Sequence, residues 1–170
     1  RAIEDTLRRV KKELPAGIAL IGFAGAPWTV ASYMVEGGSS KDFRMVKSWA
    51  YGEPQSFQRL IDILVDATAD YLIRQIEAGA DAVQLFDSWV GALPESELMR
   101  WGMRPTMEIV CRVKAAKPNV PIILFPRGAG LHYERYARET GAEALCLDTA
   151  TPLAWAAREL QPRVAVQGNL

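Results

Sequence analysis

The sequence has few of the residues that build metal centres and disulfide frameworks. It contains one histidine and two cysteines, Cys111 and Cys146, among 170 residues. The two cysteines are isolated from each other, without the close spacing of a zinc site, so we expect no structural zinc, no disulfide and a reduced, cytoplasmic protein. Long apolar runs are also missing, since none approaches the ~20 residues that span a bilayer. We therefore expect no membrane segment.

An excess of charge of either sign is absent as well. Twenty basic residues balance 20 acidic residues, which gives no indication of a nucleic-acid-binding surface. No strand is followed by the glycine patterns GxGxxG or GxxxxGK[ST] that cradle phosphates. We therefore expect no nucleic-acid partner and no metal or organic cofactor.

The composition is that of a soluble globular protein, with 49% hydrophobic and 24% charged residues. The length suits a single domain over residues 1–170. Because the chain begins at Arg1 rather than at a methionine, we expect its natural beginning to lie upstream.

Apolar runs and helical patterns alternate along the chain. A charged amphipathic helix is predicted over residues 1–14. The predicted strands are 18–21, 82–86, 121–125, 144–147 and 163–167. The predicted helices after them are 31–35, about 40–51, 54–77, about 94–116 with breaks near Gly102 and Pro105, about 131–139 and 152–160. This βα order predicts a parallel sheet, but the pattern alone leaves a barrel and a doubly wound sheet both open.

The stretch after the first predicted strand is the most distinctive. Gly22 and Gly25 indicate a tight turn and a close backbone approach, and Pro27 suits the start of a helix. Gly37 would end the short helix over residues 31–35, and Ser39 or Ser40 would cap the next helix, with Asp42 in its first turn.

The long helix over residues 54–77 carries an apolar stripe that indicates core packing. Its members are Phe57, Leu60, Ile61, Leu64, Val65, Tyr71, Leu72 and Ile76. A weak internal echo follows, because a helix, a glycine and a short strand occur both around Gly79 and around Gly141.

Several strings resemble the uroporphyrinogen decarboxylase family, which has a cofactor-free enzyme of tetrapyrrole biosynthesis as its namesake. The strongest are GFAGAPWT at residues 22–29 and SYMVEGG at 32–38. Weaker ones are GADAVQLFDS at 79–88, TGA at 140–142 and VQGNL at 166–170. The resemblance favours the (β/α)8 TIM barrel, here an incomplete barrel of about five parallel βα units that would correspond to strands three to seven.

The resemblance also implies what is missing or altered. Arg127 stands where the family often has lysine, and Thr149 where we expect tryptophan. The arginine motif near the family's N-terminus, the aspartate that binds the pyrrole N–H groups and the late histidine have no counterpart here. We therefore expect an interior segment that is inactive alone, from an enzyme that is a homodimer when complete.

By resemblance, the complete enzyme converts the four acetate side chains of uroporphyrinogen III to methyl groups, giving coproporphyrinogen III. Tyr33 would be a catalytic and substrate-binding residue, Ser88 a substrate-contacting hydroxyl, and Phe23 a wall against the macrocycle. From the residues alone, a core tyrosine with a satisfied hydroxyl is favoured for Tyr33 and a helix cap for Ser88, whereas the resemblance favours the site. Arg127 would meet either a substrate carboxylate or a local acid.

Three further residues have both structural and functional interpretations. Asp87 and Asp148 end strands, where capping or salt bridging is favoured over a supporting role at the site. His132 follows a glycine loop and suits the first turn of a helix better than the chemistry.

Two other functions remain open. One is a related zinc-dependent barrel methyltransferase, but its His-x-Cys motif is absent, since Tyr133 and Glu134 follow His132. The other is a catalytically incomplete segment with a structural or assembly role, because five strands would leave unpaired edges.

The barrel hypothesis predicts that Phe23, Tyr33 and Ser88 converge at the carboxyl edge of the sheet. Gly128 and Gly168 lie at the rim of this site, and Cys111 lies in the outer helical layer.

Overall fold

The computed structural model describes residues 2–168, which form a parallel sheet covered by helices. The strands are β1 (Ile21–Gly25), β2 (Ala82–Asp87), β3 (Ile122–Pro126), β4 (Ala144–Cys146) and β5 (Ala165–Gln167). The helices are α1 (Ala2–Glu13), α2 (Pro27–Glu36), α3 (Arg44–Gly52), α4 (Pro54–Glu77), α5 (Glu95–Glu97), α6 (Arg104–Ala116), α7 (Tyr133–Glu139) and α8 (Leu153–Glu159). Single 3₁₀ turns occupy Val90–Ala92 and Gly130–His132.

The five strands lie in sequence order, and each of the four neighbouring pairs is parallel. This confirms the parallel βα arrangement. Within residues 2–168 the sheet is open, with β1 at one edge and β5 at the other. The register aligns Phe23 with Gln84 and Gln84 with Ile123, so these side chains form one row on the same face.

The two faces of the sheet differ in burial. Residues facing the helices, such as Val83, Leu85 and Leu124, are almost completely buried and form the core with α4 and α6. The opposite, inner face carries Phe23, Phe86 and Phe125, which are all at least partly exposed. The helices thus cover one face and leave the other available.

The predicted position of β1 is wrong, because the strand begins at Ile21 rather than Ile18 and continues through Gly25. Gly22 is therefore a strand residue and makes no turn. The expected close approach is present: a Cβ on Gly22 would lie 2.7 Å from Oε1 of Gln75. That buried amide accepts a hydrogen bond from the Phe23 N–H at 2.9 Å and donates one to the Phe23 carbonyl at 2.8 Å.

The helix after β1 starts earlier than predicted, at Pro27 in its first turn. It ends as predicted at Gly37, whose left-handed φ of 73° lets its N–H bond the Tyr33 carbonyl. The next helix begins at Arg44 instead of Ser40. Ser40 does not cap its first residue, because its Oγ accepts a hydrogen bond from the N–H of Phe43, a residue with a φ of 55°. Asp42 precedes the helix and lies outside its first turn.

The predicted core packing of the apolar stripe on α4 is confirmed for most of its members, but the prediction is wrong for Tyr71. Phe57, Ile61 and Leu72 are completely buried, whereas Tyr71 is 36% exposed. Adjacent helical residues point 100° apart, so the inward direction of Leu72 places Tyr71 at the margin of the stripe.

The breaks predicted near Gly102 and Pro105 take the form of a wider helical turn. Leu98–Met103 is π-helical, and Pro105 lies in the first turn of α6. The echo is confirmed in its glycines, because Gly79 and Gly141 follow helices with φ values of 114° and 75°.

Candidate functional site

Three phenylalanine rings form a row across the inner face of the sheet, near the carboxyl ends of its first three strands. Phe23 and Phe86 meet edge to face with ring centroids 6.0 Å apart. Phe86 and Phe125 repeat this geometry at 5.9 Å. Phe23 is 64% exposed, so the row presents apolar surface that a ligand can cover.

Trp89, three residues after Phe86 along the chain, contacts side chains from three other segments. Its ring meets Tyr33 of α2 at 6.1 Å and Phe43, just before α3, at 5.3 Å. The guanidinium of Arg127, just after β3, lies 6.0 Å from the Trp89 ring centroid, at the edge of the cation–π range. Trp89 thus brings an exposed phenol and an exposed cation to the edge where Ser88 follows β2.

Hydrogen bonds from α2 hold the segment that ends β2. The Thr29 hydroxyl donates to Oδ1 of the buried Asp87 at 2.8 Å and accepts from the Trp89 N–H at 3.3 Å. The indole N–H of Trp28 donates to the Trp89 carbonyl at 3.1 Å. Both main-chain polar groups of Trp89 are therefore fixed by α2.

The loops after β2 and β3 are in backbone contact. The Arg127 N–H donates to the Asp87 carbonyl, and the Gly91 N–H donates to the Arg127 carbonyl, both at 3.1 Å. A Cβ on Gly91 would lie 2.8 Å from the Cα of Gly128, so glycine is required for this approach. The contact fixes Arg127 relative to Trp89.

Asp148, two residues past β4, organises the next loop. Its carboxylate accepts hydrogen bonds from the Gly128 N–H, the Tyr133 hydroxyl, the Ala150 N–H and the Thr151 hydroxyl. Burial alone would raise the pKa of this carboxyl, but the hydrogen bonds outweigh it and lower the pKa. Asp148 therefore caps and ties loops, as its structural interpretation predicted.

Asp87 has the opposite electrostatic character. Burial raises the pKa of this carboxyl to about 7, and the hydrogen bond from Thr29 offsets only part of that effect. The salt bridge considered for Asp87 is not found among residues 2–168, where its carboxylate has only the Thr29 hydroxyl as partner.

Residues 2–168 contain no cluster of three or more histidine, cysteine or acidic side chains that could hold a metal ion. Cys146 is partly buried on β4, and burial raises the pKa of its thiol. In the same range, no helix combines the length and apolar character needed to cross a membrane.

The arrangement suits a large ligand with an apolar face and anionic groups. The phenylalanine row offers a wall, Tyr33 and Ser88 offer hydroxyl donors, and Arg127 offers a cation. Arg127 makes no ion pair within residues 2–168, so its charge is available to a ligand.

Comparison with known proteins decides the family. The sequence model of the family described as uroporphyrinogen decarboxylase (URO-D) matches residues 1–170. The chain belongs to the uroporphyrinogen decarboxylase family. It is 54% identical to the uroporphyrinogen decarboxylase of Rhodospirillum rubrum over 166 residues, covering 98% of this chain and 48% of that protein. It is 53% identical to the uroporphyrinogen decarboxylase of Rhizorhabdus wittichii over 168 residues, covering 99% of this chain and 49% of that protein.

The chain thus spans about half the length of the curated relatives it matches. A solved structure described as a methyltransferase from Methanosarcina mazei superposes with a TM-score of 0.79 at 18% identity, covering 99% of this chain and 48% of that one. At this identity the likeness concerns the fold alone. The open five-stranded sheet is part of a TIM-barrel-type architecture, as expected from the uroporphyrinogen decarboxylase family.

The three predicted site residues lie towards the same end of the strands. Phe23 lies within β1 rather than after it, but its ring faces the inner side and contacts Phe86. Tyr33 is 45% exposed and meets Trp89, the residue after Ser88. The core interpretation of Tyr33 is therefore wrong. The capping interpretation of Ser88 is also wrong, because the N-cap position of the turn over Val90–Ala92 is Trp89, and no side chain caps that turn.

The other predicted positions are also accounted for. Gly128 contacts the loop after β2, and Gly168 follows β5. Cys111 is exposed on α6, in the outer layer, and His132 adjoins the start of α7, as expected.

Sequence reasoning missed the residues that connect the site. It did not identify Trp89, Phe86 or Phe125 as site residues. Trp89 directly follows Ser88, and Phe86 and Phe125 each lie two residues after a residue of the inner face, Gln84 and Ile123. A strand-end aromatic next to a predicted site residue was the available signal. Thr29 carried no signal, because its role depends on how α2 packs against β2.

Proposed function

We propose that the full-length protein carrying this chain is a uroporphyrinogen decarboxylase. It converts the four acetate side chains of uroporphyrinogen III to methyl groups and so forms coproporphyrinogen III. The observation that carries this proposal is the 54% identity to a curated uroporphyrinogen decarboxylase across 98% of the chain. The exposed aromatic row beside Tyr33, Ser88 and Arg127 supports it, because it suits a large ring with carboxylates.

In each proposed step, an acetate carboxylate leaves as carbon dioxide and its methylene carbon gains one proton to become a methyl group. Protonation of the pyrrole ring makes that ring the electron sink, so the substrate does the work of a cofactor. The protein must then orient each acetate, deliver protons and exclude water.

We assign roles to residues of this chain by their position. Phe23 supports one face of the macrocycle, and the hydroxyls of Tyr33 and Ser88 bind the substrate, with Tyr33 acting at the reacting side chain. Arg127 binds a substrate carboxylate, since charge-assisted hydrogen bonds from a guanidinium are strong and directional. Tyr33 would act as a hydrogen-bond donor through its hydroxyl.

The remaining parts of the proposal rest on the family resemblance. The five strands would be strands three to seven of an eight-stranded barrel, in one domain over residues 1–170. The arginine motif, the pyrrole-binding aspartate and the late histidine would come from the rest of the protein, so residues 1–170 alone would be inactive. The complete enzyme would be a cytoplasmic homodimer that uses no cofactor, and sedimentation equilibrium tests its state of association.

The activity test uses the full-length protein and uroporphyrinogen III under anaerobic conditions, because porphyrinogens oxidise in air. Products are oxidised to porphyrins and separated by chromatography. We expect intermediates with seven, six and five carboxylates and then coproporphyrin. A Cys111→Ser variant is the control for unrelated substitution, since Cys111 is exposed on the outer layer. Absence of coproporphyrin with correctly folded protein would overturn the proposal.

A further inference from the structure

Asp87 is a buried carboxyl group with no positively charged partner among residues 2–168. It is 3% exposed, ends β2 on the side that faces the helices, and directly precedes Ser88. Within residues 2–168 its environment contains no opposite charge, and the Thr29 hydroxyl is the one group that supports its ionised form. Burying such a carboxyl costs stability, so a fold gains nothing from it as packing alone.

Its first oxygen belongs to a three-member relay. Oδ1 of Asp87 accepts from the Thr29 hydroxyl at 2.8 Å, and that hydroxyl oxygen accepts from the Trp89 N–H at 3.3 Å. Because the Thr29 proton is committed to Asp87, the lone pairs of the hydroxyl are oriented toward Trp89. The carboxyl thereby fixes the backbone just beyond Ser88.

Its second oxygen faces a closed, crowded space. Oδ2 of Asp87 and the hydroxyl of Tyr136 are both buried, and neither has a hydrogen-bond partner in the described part of the chain. A Cβ on Gly102 would lie 3.6 Å from the first and 3.4 Å from the second, and 2.4 Å from Cγ2 of Val90. The clash with the Val90 methyl group accounts for glycine at position 102, which borders the two buried polar groups.

We propose that Asp87 is a positioning residue that acts through Thr29 to hold Ser88 and Trp89 in place at the substrate face. The oriented Trp89 ring in turn sets the positions of Tyr33 and Arg127, which it contacts. Asp87 itself does not touch the substrate. This inference rests on the proposed function for its kinetic test, but its structural test is independent of activity.

The kinetic test compares variants of the full-length protein. Thr29→Val keeps the shape and removes the hydroxyl, and it should lower kcat/KM about 5- to 100-fold, the range expected when a buried group loses its partner. Thr29→Ser restores the hydroxyl and should return kcat/KM to within about twofold of wild type. Tyr136→Phe is the matched control: it removes the neighbouring buried hydroxyl outside the relay and should leave kcat/KM unchanged.

The structural test follows the Trp89 amide in protein labelled with ¹⁵N-tryptophan, with the signal assigned by Trp89→Phe. The signal should move in Thr29→Val, return in Thr29→Ser and stay in Tyr136→Phe. If the wild-type protein is inactive while the amide behaves in this way, the proposed function fails and the positioning role stands. An unmoved amide in Thr29→Val would overturn the positioning role whatever the activity.

A double variant, Thr29→Val with Asp87→Leu, covers the case in which Thr29→Val does not fold. Replacing both partners with apolar groups of similar shape removes the unpaired carboxyl and is close to neutral for stability. We expect this protein to fold and still to have reduced kcat/KM. Wild-type kcat/KM in the double variant, or equal losses in Thr29→Val and Tyr136→Phe, would show that the relay has no positioning role.

Discussion

The burial of Asp87 predicts an unusual dependence of stability on pH. Its pKa is raised from 3.8 to about 7 because the carboxyl is removed from water. Below pH 3.8 the carboxyl is protonated in both the folded and the unfolded state. Between 3.8 and about 7 the folded protein holds a proton that the unfolded chain releases, so the free energy of unfolding falls as the pH rises. Above about 7 both states are ionised and the full cost is present.

The magnitude follows from the difference between the two pKa values. At about 1.4 kcal/mol for each pKa unit, ionising Asp87 in the folded state costs about 4 kcal/mol. Tyr136 faces the same space, but burial first and the nearby Asp87 second raise the pKa of its phenol well above 10, so it stays neutral. The predicted pH dependence of this site therefore belongs to Asp87.

Asp87→Asn removes this ionisation and keeps an oxygen that accepts from Thr29. Urea denaturation of the full-length protein at pH 5, 6, 7 and 8 should show the variant gaining on wild type by about 3 kcal/mol between pH 5 and pH 8, since the rest of the cost has already accrued below pH 5. Asp148→Asn is the control, and its effect on the free energy of unfolding should have the opposite sign. Hydrogen bonds lower the pKa of Asp148, so its ionised form stabilises the fold at neutral pH and the variant should be less stable than wild type. A gap between wild type and Asp87→Asn that stays constant with pH would refute the reasoning.

Three further outcomes test other parts of the site. Tyr33→Phe keeps the ring contact with Trp89 and should lower kcat/KM in the decarboxylase assay, by an amount that corresponds to a loss of roughly 0.5–3 kcal/mol of transition-state stabilisation. Unchanged kinetics would show that the phenol hydroxyl has no role. Arg127→Gln should raise KM, and Arg127→Lys should raise it less. Equal KM values in wild type and both variants would show that Arg127 does not bind a substrate carboxylate. Gly91→Ala should destabilise by about 1–3 kcal/mol in thermal unfolding, while Gly38→Ala, with open space around it, should be neutral.

The order and direction of the strands were predictable because a parallel sheet gives a strong local signature. Buried strands are short apolar runs, and glycines such as Gly79 and Gly141 mark the turns that lead into them. The start of β1 was not predictable in the same way. Residues 18–20 are apolar but exposed or half-buried, and the strand pairing begins only at Ile21 opposite Ala82.

The role of Gly22 depends on tertiary packing. A glycine after an apolar run is typical of a turn, and here it instead makes room for the buried side chain of Gln75. That contact joins residues 53 positions apart in the sequence, so no local pattern contains it. The same holds for Thr29 and Asp87, because the rest of α2 and the whole of α3 and α4 lie between them in the sequence.

The predicted site residues were found by resemblance, and their surroundings were found by geometry. Tyr33 and Ser88 belong to long family strings, which single out positions without saying what lies between them. The structure supplies that link in Trp89, whose ring contacts Tyr33 and whose main chain follows Ser88. A tryptophan at a strand end is ordinarily core, so its type alone did not identify it.

The most direct test of the central claim is a crystal structure of the full-length protein with coproporphyrinogen III bound. The account predicts that the macrocycle lies on the inner face of the sheet against Phe23, within hydrogen-bond reach of Tyr33 and Ser88, with a carboxylate at Arg127. A macrocycle bound at another face, with the phenylalanine row still exposed, would contradict it.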